Sequence, residues 1–439
     1  MKLQTYLFIA FSCIVVFGQE ESQDHINQFK NTADIYLTKL TALEQFNGAV
    51  LLKKDGKIVL KKAYNMGSDE TSTLNVSEDS QFDLRSIAKL FAKLSVIQLE
   101  KEGKLFRKDK LSKYLPEFPN ADKITIQHLM INTSGLPRSF EDASKPYIEL
   151  SAEEVVALAS KSKLEFEPGE KGLYSNVGFQ LLYYIVGKAN DSSFEEYISQ
   201  QFFKPLGMLN SGSNFYDGKD KKDQYAYGHF DKNDDIVCEC TFPEDEMKMG
   251  NLFSTVEDLN HLLSSLNPEI YHELLQDNSI SHAGGTRGKR AYVERNFVDD
   301  YTLIFLSNYD GIPFEQLVKD LQAILKGQPV MMPEAVNRKA IQLQPEMLKQ
   351  YVGSYDLVDA GHIVLDIRFE NDSLYVYQKG KNNGVIVPES KRVFFSDPTK
   401  KESIEFVENE NGTFDMLIDF QGVQWKGKNV TKKNKLRNN

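Results

Sequence analysis

Ser86-Ile87-Ala88-Lys89, preceded by Phe82-Asp83-Leu84-Arg85, is the stretch that says most about this chain. A serine and a lysine at this spacing lie one helical turn apart on the same face, so an amine stands beside a hydroxyl. That pair is the least that a serine needs to act as a nucleophile without a histidine. Apolar residues then recur at helical spacing: Ile87, Leu90, Phe91, Leu94 and Ile97. Gly103 is typical of the residue that follows the end of a helix. We therefore predict a largely apolar helix that Ser86 opens and that ends before Gly103.

The same Ser-x-x-Lys spacing occurs a second time, at Ser160 and Lys163. There Ser151 and Glu154 have the pattern of a capping box, which predicts a helix that begins just after Ser151. Ser160 then lies near the carboxyl end of that helix, where the helix dipole disfavours the oxyanion formed by nucleophilic attack. Ser86 lies at the amino end of its helix, where the dipole and free N–H groups stabilise an oxyanion. The helix setting therefore favours Ser86 as the nucleophile.

The length and charge of the chain limit the classes of protein to which it can belong. Its 439 residues suffice for two or three domains, and its formal net charge of −11 argues against general nucleic-acid binding. Residues 1–18 have the pattern of a signal peptide, because Lys2 precedes the apolar run Leu7–Phe17 and small residues stand before Gln19. That run is too short to span a membrane. We therefore predict an exported protein, periplasmic or secreted, with no transmembrane segment in its mature chain.

The cysteines and acidic clusters indicate neither a metal site nor a cofactor. Cys238 and Cys240 remain once the signal is removed, and a disulfide between residues two apart is strained. Two thiols without a nearby histidine pair make a poor zinc site. Asp231–Asp235 begins like a calcium loop, but Ile236 stands where that loop requires glycine, so a polar hairpin turn is predicted instead. We predict no disulfide framework, no metal and no cofactor.

Strand signals stand at both ends of a helical block in the first three quarters of the chain. Phe46–Leu60 alternates around an Asp-Gly turn, and residues 80–265 are mostly helical. Strand character returns at Val298–Asn308, and an amphipathic helix follows at Phe314–Lys326. This order predicts one α/β (α+β) domain, residues 19–328, whose sheet joins distant parts of the sequence.

The remainder of the chain has an all-β pattern. Residues 329–344 lack a clear period and are predicted to be a linker. Beyond it His362–Phe369 alternates between apolar and polar residues, while Ile404–Val407 and Phe414–Phe420 are spaced to pair across a turn. We predict that residues 345–439 form a small β domain, a meander, sheet or barrel.

Two further motifs carry side chains that a serine nucleophile needs. Tyr174-Ser175-Asn176 brings a phenol and an amide together in a tight loop, and we expect a neighbouring lysine ammonium to lower the pKa of the phenol. His282-Ala283-Gly284-Gly285 precedes a strand, and its glycines let a substrate backbone approach and receive an N–H at the reaction centre. Taken singly, each motif favours a purely structural role: a core tyrosine with a turn asparagine, and a glycine-rich turn with an incidental histidine.

Taken in order, Ser-x-x-Lys, Tyr-x-Asn and His-x-Gly resemble the signature of the serine β-lactamase and penicillin-binding protein superfamily. The second motif is similar to that of the class C β-lactamase and D-alanyl-D-alanine carboxypeptidase branch, and His-x-Gly to that of its peptidase and esterase members. The resemblance extends through four further segments: Asn47–Leu51, Ile124–Leu136, Lys204–Met208 and Leu252–Leu259. It implies an antiparallel sheet flanked by helices beside an all-helical region. The final β region resembles the small lipocalin-like domain often appended to such hydrolases.

The resemblance also implies a role for each motif. Ser86 would attack a carbonyl and form a covalent acyl-enzyme, while Lys89 and Tyr174 take its proton and return it to the leaving group. Substrate binding and oxyanion stabilisation would fall to a second group: Asn176, His282, Gly284 and Gly285. Arg287 is no part of the motif, but it is close enough in sequence to His282 to supply a charge that binds a substrate carboxylate. The partner would be a small molecule or a peptide: a D-amino-acid peptide derived from peptidoglycan, a β-lactam-like compound or a small ester.

The chain departs from the family pattern at four places. Arg85 stands where glycine usually precedes the serine, and Asn132 replaces a common histidine. Ala283 replaces a threonine or serine, and Leu266–Ser281 lacks the usual glycine- and aromatic-rich strand. Two alternatives follow: a carboxylesterase that uses the same residues, and a non-catalytic protein of the cell envelope that keeps the pocket for recognition.

Overall fold

The structure is a computed structural model that describes residues 26–67, 72–140, 151–213, 224–232, 235–239, 249–358, 362–420 and 423–430. The chain divides into two compact units: Met1–Gly311 with Leu321–Val330, and Ile312–Asp320 with Met331–Asn439. The predicted signal peptide at residues 1–18 lies outside the described residues. The predicted domain limits at residues 328 and 344 stay predictions.

The chain before the linker alternates between strands and helices. Its strands are β1 (Gly48–Lys54), β2 (Lys57–Tyr64), β3 (Phe82–Asp83), β4 (Gly228–Lys232), β5 (Asp235–Glu239), β6 (Phe253–Ser254), β7 (Ser279–Thr286), β8 (Lys289–Asn296) and β9 (Tyr301–Ser307). Its helices are α1 (residues 26–42), α2 (Ala88–Lys101), α3 (Ile126–Met130), α4 (Ala152–Ala159), α5 (Asn176–Ala189), α6 (Phe194–Ile198), α7 (Val256–Ser265) and α8 (Phe314–Leu325). Short helical turns occupy Arg85–Ile87, Leu111–Lys113, Ser199–Phe203 and His272–Leu274.

A five-stranded antiparallel sheet in the order β2-β1-β9-β8-β7 brings the two ends of the first unit together. Residue Gly48 of β1 pairs with Ser307 of β9, so the sheet joins distant parts of the sequence as predicted. All of β9 is buried, because a central strand is covered on both faces. β7 forms one edge of this sheet, where its backbone is open to a ligand.

Strand β9 begins later than the sequence predicted. The prediction placed a strand from Val298, but residues 297–300 form a turn and Val298 is 71% exposed. The Asn296 side chain accepts hydrogen bonds from the N–H groups of Val298 (3.1 Å) and Asp299 (2.7 Å). A side-chain acceptor of this kind stabilises a turn in place of a strand.

Helix α2 is a core helix that starts two residues after Ser86. Ten of its 14 residues are buried, so it is apolar nearly all round rather than amphipathic. It ends at Lys101, and Gly103 follows with φ of +72°, as predicted for a helix terminated by glycine. The second Ser-x-x-Lys match lies in a different setting, because Ser160 stands at the carboxyl end of α4 and donates a hydrogen bond to the Ala157 carbonyl.

The second unit is built on a closed antiparallel barrel of eight strands. After the short helix α9 (Pro345–Lys349) come β10 (Gly353–Leu357), β11 (Ile363–Glu370), β12 (Ser373–Gln378), β13 (Lys381–Pro388), β14 (Val393–Phe395), β15 (Ser403–Glu408), β16 (Phe414–Phe420) and β17 (Val423–Asn429). Each strand pairs with the next, and the pairing of β10 with β17 closes the barrel. The predicted pairing of Ile404–Val407 with Phe414–Phe420 is confirmed.

The cysteine prediction is wrong in one respect. Cys238, in β5, is disulfide-bonded. The prediction considered only the strain between Cys238 and Cys240, and both Cys240 and Cys13 lie outside the described residues. β4 and β5 pair as a hairpin, in agreement with the polar turn predicted at Asp231–Asp235. Among the described helices, none combines the length and the apolar character that crossing a membrane requires.

Candidate active site

The Lys89 amine, one turn away, and the Tyr174 phenol, from a distant part of the first unit, meet at the hydroxyl of Ser86. The Lys89 Nζ donates a hydrogen bond of 2.9 Å to the Ser86 Oγ, and the same oxygen lies 2.9 Å from the Tyr174 Oη. Lys89 is only 5% exposed, so its amine faces the serine in surroundings from which most water is excluded. The structure thus brings together the three residues for which the sequence predicts a catalytic role.

The turn that carries Ser86 is held by backbone hydrogen bonds on both sides. The Ile87 N–H donates to the Leu84 carbonyl at 3.0 Å, and the Leu84 N–H donates to the Leu252 carbonyl at 2.9 Å. Arg85, directly before the serine, has φ of +48°, in the left-handed region that glycine adopts most easily. Arg85 therefore has the backbone conformation expected of the family's usual glycine, and it adds a charged side chain.

The Arg85 side chain belongs to a buried group of charges beside the nucleophile. Its Nη2 lies 3.3 Å from Oδ2 of Asp83, and the same oxygen accepts hydrogen bonds from the Tyr225 Oη at 3.1 Å and from the Lys289 Nζ. Burial raises the pKa of the Asp83 carboxyl, but the Lys289 and Arg85 cations outweigh burial and hold the pKa below its ordinary value. A charged carboxylate therefore links β3, the Ser86 turn and β8.

Strand β7 lies against the Ser86 turn, with Gly284 at the point of closest approach. A Cβ at Gly284 would lie 2.3 Å from the Leu84 carbonyl oxygen, so no side chain fits there. His282 is two residues earlier and shares this face of the strand, while Gly285 lies on the other face and is exposed. The sequence placed these residues before a strand, but they form part of β7, which begins at Ser279.

His282 is a neutral group in this site. Burial, followed by the nearby Lys93 and Lys89 cations, lowers its pKa to about 4. Its Nδ1 lies 2.7 Å from the Ala283 carbonyl oxygen, which places the proton of the neutral ring on Nδ1. Nε2 is then an acceptor, suited to an N–H or O–H group of a substrate rather than to a carboxylate.

Asn132 holds the loop that carries Tyr174. Its side-chain Oδ1 accepts a 3.0 Å hydrogen bond from the Ser175 N–H, and its carbonyl accepts a 2.8 Å hydrogen bond from the Leu173 N–H. Asn132 has φ of +60°, which asparagine tolerates better than most residues. Ser175 in turn caps α5 by accepting a hydrogen bond from the Gly178 N–H at 2.9 Å. The residue that replaces the family's usual histidine therefore fixes both neighbours of Tyr174.

Asn176 is the first residue of α5. Its N–H donates to the Arg138 carbonyl at 3.0 Å, which joins this loop to the segment around Arg138. Among the residues that the structure describes, no hydrogen bond joins the Asn176 amide to Lys89. Its predicted role, to bind the substrate, stays a prediction.

The surroundings of Lys89 suit a base. Burial, with a smaller contribution from the Arg138 cation, lowers its pKa to about 8. Its Nζ lies 5.1 Å from the centroid of the Tyr174 ring and 5.6 Å from that of Phe179. An amine with this pKa is partly neutral at physiological pH, and the contact with Ser86 then lets it accept the serine proton.

The pKa of Tyr174 shows that one prediction made from the sequence is wrong. Burial raises the pKa of its phenol, and this effect outweighs the Ser86 hydrogen bond and the Arg138 cation, both of which lower it. The prediction that a lysine ammonium lowers this pKa neglected burial, and it relied on a charge that Lys89 itself partly loses. Tyr174 is therefore protonated at neutral pH and is suited to donate a proton.

Arg138 and Lys93 are functional candidates that the sequence did not single out. The exposed Arg138 side chain has its Cζ 5.5 Å from the centroid of the Tyr174 ring. The Lys93 Nζ, one turn beyond Lys89, lies 5.9 Å from the centroid of the Phe179 ring. The position of Arg138 directly after a segment that resembles the family was a signal for it, whereas nothing in the sequence pattern marked Lys93.

Arg287 is placed outside the group around Ser86. It stands between β7 and β8, and its Cζ lies 3.6 Å from the centroid of the Phe230 ring, a cation–π contact. Its predicted role in binding a substrate charge stays a prediction. Within the described part of the chain, no three His, Cys, Asp or Glu side chains are grouped closely enough to hold a metal ion.

Comparison with known proteins gives one match to a family model, described as Beta-lactamase, over residues 38–292. The chain is 28% identical to penicillin-binding protein 4* of Bacillus subtilis (strain 168), in an alignment that covers 91% of this chain and 98% of that protein. Among solved structures, the octameric penicillin-binding protein homologue from Pyrococcus abyssi is similar over 89% of this chain and 97% of its own, with a TM-score of 0.57 and 21% identity. The D-amino acid amidase from Ochrobactrum anthropi SV3 is similar over 68% of this chain and 98% of its own, with a TM-score of 0.58 and 19% identity.

Proposed function

The chain belongs to the beta-lactamase family, and on that premise we propose that it is a serine hydrolase that forms a covalent acyl-enzyme on Ser86. One observation carries the proposal: the Ser86 Oγ lies 2.9 Å from both the Lys89 Nζ and the Tyr174 Oη. A nucleophile, a base and a proton donor within hydrogen-bond distance are what acyl transfer requires.

The reaction follows from the protonation states of these groups. Neutral Lys89 accepts the hydroxyl proton as the Ser86 Oγ attacks the carbonyl carbon of the substrate. Backbone N–H groups of Ser86 and Gly285 stabilise the oxyanion. The Tyr174 phenol donates its proton to the leaving amine or alkoxide as the C–N or C–O bond breaks, and the Lys89 ammonium restores that proton. Water then attacks the ester with Lys89 as the base, which releases the acyl group and regenerates Ser86.

The charges around Ser86 favour a substrate that carries a carboxylate. The Arg138 cation acts on both Lys89 and Tyr174, and the Lys93 cation acts on His282. Burial and then the Lys89 cation lower the pKa of Lys93. D-amino-acid peptides and β-lactams carry a carboxylate, whereas simple esters do not. The name of one similar protein, a penicillin-binding protein, agrees with this class of substrate.

Export is part of the same proposal. The signal-peptide pattern in residues 1–18 supports it, and it would bring the enzyme to peptides derived from peptidoglycan. The second candidate is a carboxylesterase that uses the same three residues on neutral esters. Turnover of nitrophenyl acetate without cleavage of a peptide ending in D-alanyl-D-alanine would favour that candidate.

The test is intact-mass analysis after incubation with benzylpenicillin or a fluorophosphonate. We expect one adduct per chain, located on Ser86, and none on the Ser86→Ala variant. Ser160→Ala is the matched control, because it removes the other Ser-x-x-Lys serine and should leave the adduct unchanged. A folded protein that forms no adduct with either reagent would contradict the proposal and favour a non-catalytic envelope protein.

A further inference from the structure

The closed barrel of the second unit is filled at one end only. There, five aromatic rings pack together with centroids 4.4–5.8 Å apart: Tyr351, Tyr355, Phe394, Phe406 and Phe414. Towards the other end the barrel encloses a cavity of about 660 Å³. The sequence thus supplies enough bulk to fill one half of the barrel and leaves the other half open.

The wall of this cavity is mostly apolar. Eight of its lining residues are aliphatic, among them Ile363, Leu365, Val376, Ile386, Ile404 and Ile418. At the mouth Phe420 is 51% exposed and Ile363 is 36% exposed, so apolar surface faces water. Its volume lies within the range of about 300–1,000 Å³ that small-molecule sites occupy. Covering such a surface with an apolar ligand is favourable, because it removes apolar area from water.

Glu402 gives the lining of the cavity a negative charge, because it stands two residues before Ile404 and shares its inward face. Asp419 lies between Ile418 and Phe420, which face the cavity, so its own side chain points outwards. The described residues that line the cavity include no lysine, arginine or histidine. A carboxylate or sulfate at the end of an apolar ligand would be repelled there, whereas an ammonium would be attracted. We propose that this cavity binds an amphiphile with an apolar tail and a cationic head group.

The protein carries its own reporter of this binding. Its only tryptophan, Trp425, lines the cavity, so tryptophan fluorescence of the full chain reports occupancy directly. Titration with dodecyltrimethylammonium bromide, below its micelle concentration, should give a saturable change in emission. Sodium dodecanoate, which has a tail of similar length and the opposite charge, should bind at least about tenfold more weakly. The absence of a saturable change with dodecyltrimethylammonium bromide, or equal or tighter binding of dodecanoate, would overturn the proposal.

Charge-removing variants test the head-group site separately from the fold. Glu402→Gln should weaken binding of the cationic compound about threefold to tenfold and leave the melting temperature unchanged. Glu405→Gln is the matched control, because Glu405 is exposed and points to the outer face of β15, opposite to Ile404. Binding that Glu402→Gln leaves unchanged would contradict the head-group assignment. Labelling of Ser86 by penicillin is independent of these residues, so failure here and failure of the proposed function are distinguishable.

Discussion

The Arg85 guanidinium lies 3.3 Å from the buried Asp83 carboxylate, directly before the nucleophile in the chain. Arg85 was a departure from the family pattern, and it supported the non-catalytic alternative. The structure gives it a partner that uses its charge, while the hydrogen bonds among Ser86, Lys89 and Tyr174 are in place. The departure therefore does not disrupt the three candidate catalytic groups.

Asp83→Asn should lower the free energy of unfolding by about 3 kcal/mol, because it leaves the Arg85 and Lys289 cations without compensation in a buried site. The folded-state pKa of Asp83 lies below its ordinary value, so its contribution is present at neutral pH and is lost as the pH falls through that lowered value. Urea unfolding at several pH values measures both effects. Asp79→Asn is the control, because its exposed carboxylate lies 3.8 Å from Lys61 and should contribute less than about 0.5 kcal/mol. Equal losses in the two variants would contradict the assignment.

The pH dependence of kcat/KM should rise with an apparent pKa near 8, because only neutral Lys89 accepts the Ser86 proton. The Arg138 cation lowers the pKa of Lys89, so Arg138→Gln should move this rise to higher pH and reduce kcat/KM at pH 7 about threefold to tenfold. Arg368→Gln removes another arginine that lies over a tyrosine ring, in the barrel, and should leave the profile unchanged. A profile that Arg138→Gln does not move would show that Lys89 is not the titrating base.

Gly284→Ala should lower kcat/KM by about 100-fold or more, because its Cβ would lie 2.3 Å from the Leu84 carbonyl oxygen and would displace β7 from the Ser86 turn. Gly172→Ala is the matched control, since no heavy atom lies within 4 Å of a Cβ at that position. Steady-state kinetics and melting temperatures of both variants check the prediction. Full activity of Gly284→Ala would mean that β7 does not set the geometry of the site.

Asn132→Ala should lower kcat/KM about tenfold or more, because the Ser175 N–H loses its acceptor and the loop of Tyr174 loosens. The variant also places alanine at a φ of +60°, which costs stability by itself. Asn120→Ala carries the same backbone cost, at φ of +58° on an exposed turn, without a contact to Tyr174. Both variants should lose similar stability, but only Asn132→Ala should lose activity. Equal losses of kcat/KM in the two variants would show that Asn132 has only a structural role.

Much of the fold followed from local patterns in the sequence. The apolar spacing after Ser86 and the position of Gly103 predicted α2, and the capping pattern at Ser151 predicted α4. The resemblance in motif order predicted that Ser86 and Tyr174 meet, although they stand 88 residues apart. These predictions succeeded because each depended on residues close together in the chain or on a pattern shared by a family.

The features of the site that the sequence pattern did not predict depend on burial and on residues that are distant in the chain. The pKa of Tyr174 rises because of the surrounding core, which no local pattern describes. The group around Asp83 includes Lys289, 206 residues later in the chain. The Arg138 cation lowers the pKa of Lys89, which is distant from it in the sequence. The residues next to Arg138 indicated only that it stands beside a segment that resembles the family. Charge–charge distances of this kind exist only once the chain is folded.

The pairing of β1 with β9 also bears on when the folding chain can acquire the proposed activity. The Ser307 hydroxyl donates a hydrogen bond to the Asn47 carbonyl, 260 residues earlier. A contact between such distant residues forms slowly, because a long loop must close first. A nascent chain that contains Ser86, Lys89 and Tyr174 but has not reached β9 lacks the strand that places β8 and β7 in the sheet. We therefore expect the unfinished chain to be inert towards acyl compounds, and the proposed reactivity to begin only when residue 307 is free to fold.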